Sequence, residues 1–252
     1  TESVIGPSVA SGSRFYGISN ELEPVIPVVA LAGLAALTTW RRWEAVPRAV
    51  VYGVLGAVVA VVVGWGRLGA DVGGVVTVAA GFAGGVAFGT GRLTRRRIAV
   101  LVAVPVVAVV ALVGLDLVSR GGDHLSNNLS RSGGRTDMWE LVARRYQLAF
   151  HVLGNGAIDI RLAVALVGVA VVVRNQGVVL GGPVSPAWRA ALLGGLAAGV
   201  GGALANDSGP VLLINAVFAL AGIVLYLGGR NRASQAWSPE ESQRWDTVGS
   251  RG

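Results

Sequence analysis

The run Ala99–Leu117 carries one charged residue, Asp116, over a stretch as long as a bilayer is thick. A hydrocarbon core of about 30 Å needs roughly 20 such residues in a helix. Six more apolar segments resemble it, and together the seven cover roughly 25–40, 47–66, 71–91, 97–118, 158–174, 187–205 and 210–228. Within hydrocarbon only a helix or a closed barrel satisfies its own backbone. These segments are continuously apolar rather than alternating, so the expected fold is all-α: a polytopic transmembrane helix bundle of about seven spans.

Composition agrees. The chain is 53% hydrophobic and 14% charged, where soluble domains carry about 25% charged residues. It has no Cys and two His, which excludes disulfides and thiolate metal sites and gives no reason to expect a metal or another cofactor. All 21 basic residues are Arg and the net charge is +7. A basic chain can indicate nucleic acid, but here the charges lie in short loops between apolar runs, so no nucleic-acid partner is expected. The chain begins at Thr1, and its one Met is Met138; it reads as a piece of a longer protein.

Arginine placement gives an orientation, because cytoplasmic loops carry the excess of basic residues. Arg41, Arg42 and Arg48 lie in the first loop, and Arg92, Arg95, Arg96 and Arg97 in the third. Arg174 and Arg189 flank residues 175–186, and Arg230 and Arg232 follow the last segment. Seven crossings put these four places on one side, expected to be the cytoplasm. Residues 1–24 then form an extracytoplasmic lead-in. The bundle spans 25–228 with a long outside loop at 119–157, and 229–252 is a polar, disordered cytoplasmic tail. The localisation is a plasma membrane, with the N-terminus outside.

The long loop holds a helix of its own. Asp137 can cap it, with Glu140 three residues on. Trp139, Val142, Tyr146, Ala149, Phe150 and Leu153 recur at helical spacing, with Glu140, Arg144, Gln147 and His151 on the other face. This is an amphipathic interfacial helix or a plain connecting one; periodicity does not separate the two. Gly81 and Gly85, Gly85 and Gly89, and Gly195 and Gly199 are small residues four apart, which let helix backbones approach closely.

Three polar clusters share the outer side. The first is Arg14-Phe-Tyr16-Gly-Ile-Ser-Asn20-Glu21-Leu-Glu23-Pro24. The second is Gly69-Ala-Asp71-Val-Gly73-Gly74, and the third is Asn206-Asp207-Ser208-Gly209. Ionisable residues at such places are functional candidates. Asp71, Asp207 and Glu21 are the candidate catalytic residues, any of which can act as a base in a dehydrated site. Arg14, Arg131 and Arg135 can grip phosphate oxygens with guanidinium forks, and Tyr16, Asn20, Asn206 and Ser208 complete the candidate binding set. His124 is an alternative base. The structural reading is capping, with Asp71 at the start of the third segment and Ser208 at the start of the seventh.

These three motifs resemble those of a poorly characterised multi-pass membrane protein family of Gram-positive bacteria. In that family the membrane part tends to accompany an alkaline-phosphatase-like outside region, and the resemblance implies a covalently linked extracytoplasmic domain. More distantly, the layout is similar to the O-antigen ligase and polymerase superfamily, through Gly134-Arg135-Thr-Asp-Met-Trp139 in the long loop and the Arg14…Asn20 stretch before a span. That likeness implies transfer of a glycan from a polyprenyl pyrophosphate carrier, with Arg14 and Arg135 on the pyrophosphate. The chain departs from it at the third segment, where Asp71-Val72 stands in place of a Ser-Arg pair. The functional expectation is a cell-envelope module in the lipid bilayer, with an outward-facing polar site acting on a polyprenyl-linked glycan or phosphate. The alternatives are a transporter or flippase, and a structural anchor for an outside domain.

Overall fold

The structure is a computed structural model that describes Ser19, 21–41, 48–64, 72–88, 94–118, eight positions between 140 and 154, 156–206 and 209–236. Among the described residues it is helical throughout, with no strand. The continuous helices are α1 (Val25–Arg41), α2 (Arg48–Gly64), α3 (Val72–Phe88), α4 (Arg95–Val118), α5 (Gly156–Arg174), α6 (Gln176–Val179), α7 (Pro186–Ala205) and α8 (Pro210–Ala236). The seven long ones fall on the seven apolar segments. Three of them, α5, α7 and α8, are long and apolar enough to cross a membrane. That is fewer than the seven expected, and for α1, α2 and α3 length is the reason. Helices α1, α2 and α3 have 17 residues each, which at 1.5 Å per residue is about 26 Å.

Helix α7 is the centre of the packing. Ser185 caps it by accepting from the Trp188 amide at 3.4 Å, and Pro186 occupies its first turn, where a missing N–H costs nothing. Its buried residues Ala187, Ala191, Gly194, Ala198 and Gly202 recur every three or four positions, which is one helix face. That face meets α3 and α1, while Gly195 and Gly199 meet Leu220, Leu213 and Ala216 of α8. The contact with α3 is backbone against backbone. A Cβ on Gly194 would lie 2.7 Å from the Gly81 carbonyl oxygen and 3.0 Å from the Gly85 amide nitrogen. The small residues at 81, 85, 195 and 199 therefore serve packing.

Contacts give the helix directions. Gly56 lies under Phe82 and Gly85 under Tyr52, so α2 and α3 run antiparallel, and the rings of Tyr52 and Phe82 meet edge to face at 6.4 Å. The starts of α1, α3 and α8 and the end of α7 gather at one end of the bundle. The ends of α1 and α3 and the starts of α2 and α4 lie at the other, with α6. Outward faces are apolar. Helix α5 has one buried residue, Ala165. Val102, Val106, Val107 and Val110 of α4 and Ile160, Val164 and Val167 of α5 are all exposed. A soluble monomer rarely shows contiguous apolar surface of more than a few hundred Å².

Helix α8 runs past residue 228, where the tail was expected to begin, as far as Ala236. Its extra turns have a partner. Asn231 Nδ2 donates to the Leu180 carbonyl at 2.8 Å, Arg232 Nη2 to that of Val178 at 2.8 Å, and Gln235 Nε2 to that of Gly181 at 2.7 Å. Those carbonyls lie at the end of α6, where helix acceptors lack intrahelical donors. Gly181 permits the turn there with φ +65.

Candidate functional site

The first helix is entered through a hydrogen-bonded turn. The amides of Leu22 and Glu23 both donate to the Ser19 carbonyl at 3.0 Å, and the Val25 and Ile26 amides donate to Leu22. This turn aims Glu23 into the bundle, where it is 0% exposed. Pro24 and Pro27 are buried beside it. A carboxylate taken out of water needs partners for both oxygens, and two distant parts of the chain supply them. Thr77 of α3 donates from Oγ1 to Oε1 at 2.6 Å, and Asn206, the C-cap of α7, donates from Nδ2 to Oε2 at 2.6 Å. Hydrogen bonds to charged groups contribute about 1.5–3 kcal/mol each, so the node joins α1, α3 and the α7–α8 turn firmly.

The backbone around the node is shaped to admit it. A Cβ on Gly73 would lie 2.6 Å from Asn206 Nδ2, and one on Gly202 would lie 2.8 Å from Thr77 Oγ1. The Thr77 hydroxyl also stands 3.0 Å from the Gly73 carbonyl; its single proton serves the carboxylate, the shorter of the two contacts. Asn206 closes α7 in an extended conformation, with its amide on the Gly202 carbonyl at 2.9 Å. Its own carbonyl accepts from the Gly209 amide at 3.2 Å, and Gly209 turns the chain into α8 with φ +47.

The long loop returns to the same end. Among its described residues Glu140, Ala143, Tyr146, Gln147 and Phe150 are helical, as the periodicity predicts. Tyr146 donates from its hydroxyl to the Leu204 carbonyl at 2.7 Å, two residues before Asn206. Its ring stacks on Phe150 at 6.2 Å and 5°. Both rings are partly exposed, Tyr146 at 46%. The Gly154 amide donates to the Asp159 carboxylate in the first turn of α5 at 3.1 Å.

Of the residues singled out by sequence, the structure describes Glu21 and Asn206. Glu21 is exposed, and the carboxylate driven inside is Glu23, two positions on. Asn206 is 8% exposed and turned into the bundle toward Glu23. Arg14, Tyr16, Asn20, Asp71, Arg131, Arg135, Asp207, Ser208 and His124 lie outside the described residues. Gly73 follows Asp71 by two positions, Asn206 precedes Asp207, and Gly73 and Asn206 are in contact. Sequence reasoning placed Glu23 in the first polar cluster without choosing it as a catalytic residue, and passed over Thr77. Thr77 is the one hydroxyl between Gly73 and Phe88, and that isolation was the available signal.

Among the described residues no group of three or more His, Cys, Asp or Glu stands close enough to hold a metal ion. No family model, no curated protein and no solved structure matches the chain.

Proposed function

We propose that the chain is a polytopic module of a bacterial cell envelope whose seven long helices all cross the membrane, with the arginine-bearing end in the cytoplasm and a polar site at the outer end. The observation that carries this reading is Glu23, fully buried and held by Thr77 and Asn206 at the end opposite Arg174, Arg189, Arg230 and Arg232. A carboxylate enclosed among apolar helices is costly and marks a functional place by default. The sequence motifs that supply two of its neighbourhoods also supply Asp71 and Asp207. In this reading Glu23 positions the α7–α8 turn, Asp71 or Asp207 acts as the base, and Arg14, Arg131 and Arg135 grip phosphate oxygens. The substrate class is a polyprenyl-linked glycan or phosphate, following the resemblance of the three motifs. The apolar outer faces of α4 and α5 agree with lipid around the bundle.

One observation favours a second reading, a structural anchor for an outside domain. Both oxygens of Glu23 are taken by the protein's own side chains, as a helix-joining group requires. Two experiments separate the readings. The chain has no Cys, so Ser234→Cys and Glu140→Cys can be labelled singly with an impermeant thiol reagent in intact cells. The Glu140→Cys protein should react and Ser234→Cys should react only after lysis; the reverse pattern, or labelling of both, overturns the orientation. Asp71→Asn and Asp207→Asn are then tested for complementation of a deletion. Loss of function in stably inserted protein supports a site, and full complementation by both leaves the anchor.

A further inference from the structure

We infer that the Glu23 node is a proton-binding site, and that uptake of the proton loosens the α7–α8 turn. The observation is the position of the Thr77 hydroxyl. It stands 2.6 Å from Glu23 Oε1 and 3.0 Å from the Gly73 carbonyl, so its one proton has two acceptors within reach. A hydroxyl can accept as well as donate. With Glu23 ionised, Thr77 donates to Oε1. With a proton from solution on Oε1, the acid O–H donates to Thr77 Oγ1 across the same 2.6 Å, and the Thr77 hydroxyl turns to the Gly73 carbonyl. Asn206 Nδ2 donates to Oε2 in both states, at 2.6 Å. The step forms one O–H bond, removes one negative charge from the node and leaves each of these groups with a partner. A carboxylate serving only as a tie needs donors alone; this one faces a group that can both donate and accept.

The two states do not grip the chain equally. Hydrogen bonds to an ionised group are about twice as strong as neutral ones, so proton uptake weakens the Asn206 contact. Asn206 is the C-cap of α7, and its carbonyl accepts from the Gly209 amide where the chain enters α8. The extra hold is present while Glu23 is ionised and is lost as pH falls through its titration. Among the described residues of α1, α2, α3, α7 and α8 the ionisable ones besides Glu23's turn are Arg41, Arg48, Tyr52, Arg189, Tyr226, Arg230 and Arg232, all toward the opposite end. Glu21, Glu140, His151 and Arg161 are exposed, and Asp159 accepts from the Gly154 amide. Asp71 precedes α3, Asp116 lies in the last turn of α4 and Asp207 follows α7; the variants below leave all three in place. The inference goes beyond the function proposed above. It needs neither the membrane orientation nor a base at Asp71 or Asp207, so the labelling and complementation experiments can fail without it.

The test is infrared difference spectroscopy of the full chain in detergent, titrated over about pH 4–9, the range that Glu carboxyls cover between water and deep burial. Amide hydrogen exchange at the α7–α8 turn, corrected for its intrinsic pH dependence, is followed over the same range. On acidification wild type should gain a protonated-carboxyl band that Glu23→Gln lacks. Exchange at the turn should rise roughly tenfold across the same midpoint, the scale of losing one charge-assisted increment. Glu23→Gln, whose amide can donate to Thr77 as the acid does, should exchange at the acid rate at every pH. Thr77→Val removes a donor that favours the ionised form and should move the midpoint to a pH about 1 higher. No band assignable to Glu23, exchange at the turn that ignores pH, or an unmoved midpoint in Thr77→Val would overturn the inference. The wild-type exchange curve is enough to overturn it should a variant fail to fold.

Discussion

The two ends of this bundle handle charge in opposite ways. At one end the carboxylate of Glu23 is drawn inside and both its oxygens are bound by side chains from α3 and the α7–α8 turn. At the other, Arg174, Arg189, Arg230 and Arg232 stay exposed, and the contacts that join the helices are amide and guanidinium groups on backbone carbonyls. Arginine keeps its stem on apolar surface and its head in water; a short carboxylate has no such freedom and must be enclosed or left outside. The acid end is therefore where a single substitution should reach three helices at once, and the arginine end is where each contact stands nearly alone.

The largest expected effect follows from that. Glu23→Ala leaves Asn206 and Thr77 buried without their acceptor, and should lower stability in detergent by about 2–5 kcal/mol, read from denaturant unfolding. Glu23→Gln keeps the shape and one acceptor, and should cost clearly less. Equal stability of Glu23→Ala and wild type would mean the node joins nothing. Next comes the seam between α3 and α7. Gly194→Val puts a branched side chain where even a Cβ meets the Gly81 carbonyl at 2.7 Å, and overpacking of this kind costs about 1–3 kcal/mol. Gly168 on α5, with open space around its Cβ position, is the matching control, and Gly168→Val should be tolerated.

Much of this architecture is legible in the sequence because a long apolar run has few solutions. Apart from the end of α8, the seven long helices begin and end within a few residues of the apolar segments, and Gly81, Gly85, Gly195 and Gly199 mark real helix contacts. The extension of α8 to Ala236 was not legible, because what holds it is distant: carbonyls of 178–181 that only the fold brings near Asn231 and Gln235. The same holds for the node. Glu21 and Glu23 look alike in the chain, and the turn on the Ser19 carbonyl decides which one faces inward. The isolation of Thr77 is a weak signal of its role, since a lone hydroxyl in an apolar helix commonly bonds back to its own helix, as its 3.0 Å approach to the Gly73 carbonyl would allow.

The smallest effects sharpen the comparison at the arginine end. Asn231 is half-buried, and its amide satisfies a Leu180 carbonyl whose residue is buried. Asn231→Ala should therefore cost about 1 kcal/mol, the usual net value of one hydrogen bond. Gln235 makes a shorter contact, 2.7 Å to the Gly181 carbonyl, but its side chain is exposed. Water can take its place there, so Gln235→Ala should stay within about 0.5 kcal/mol of wild type. Distance alone predicts the reverse order. If Gln235→Ala proved the more damaging of the two, this end would have to be closed to water like the other, and the contrast between an enclosed acid and solvated arginines would fail.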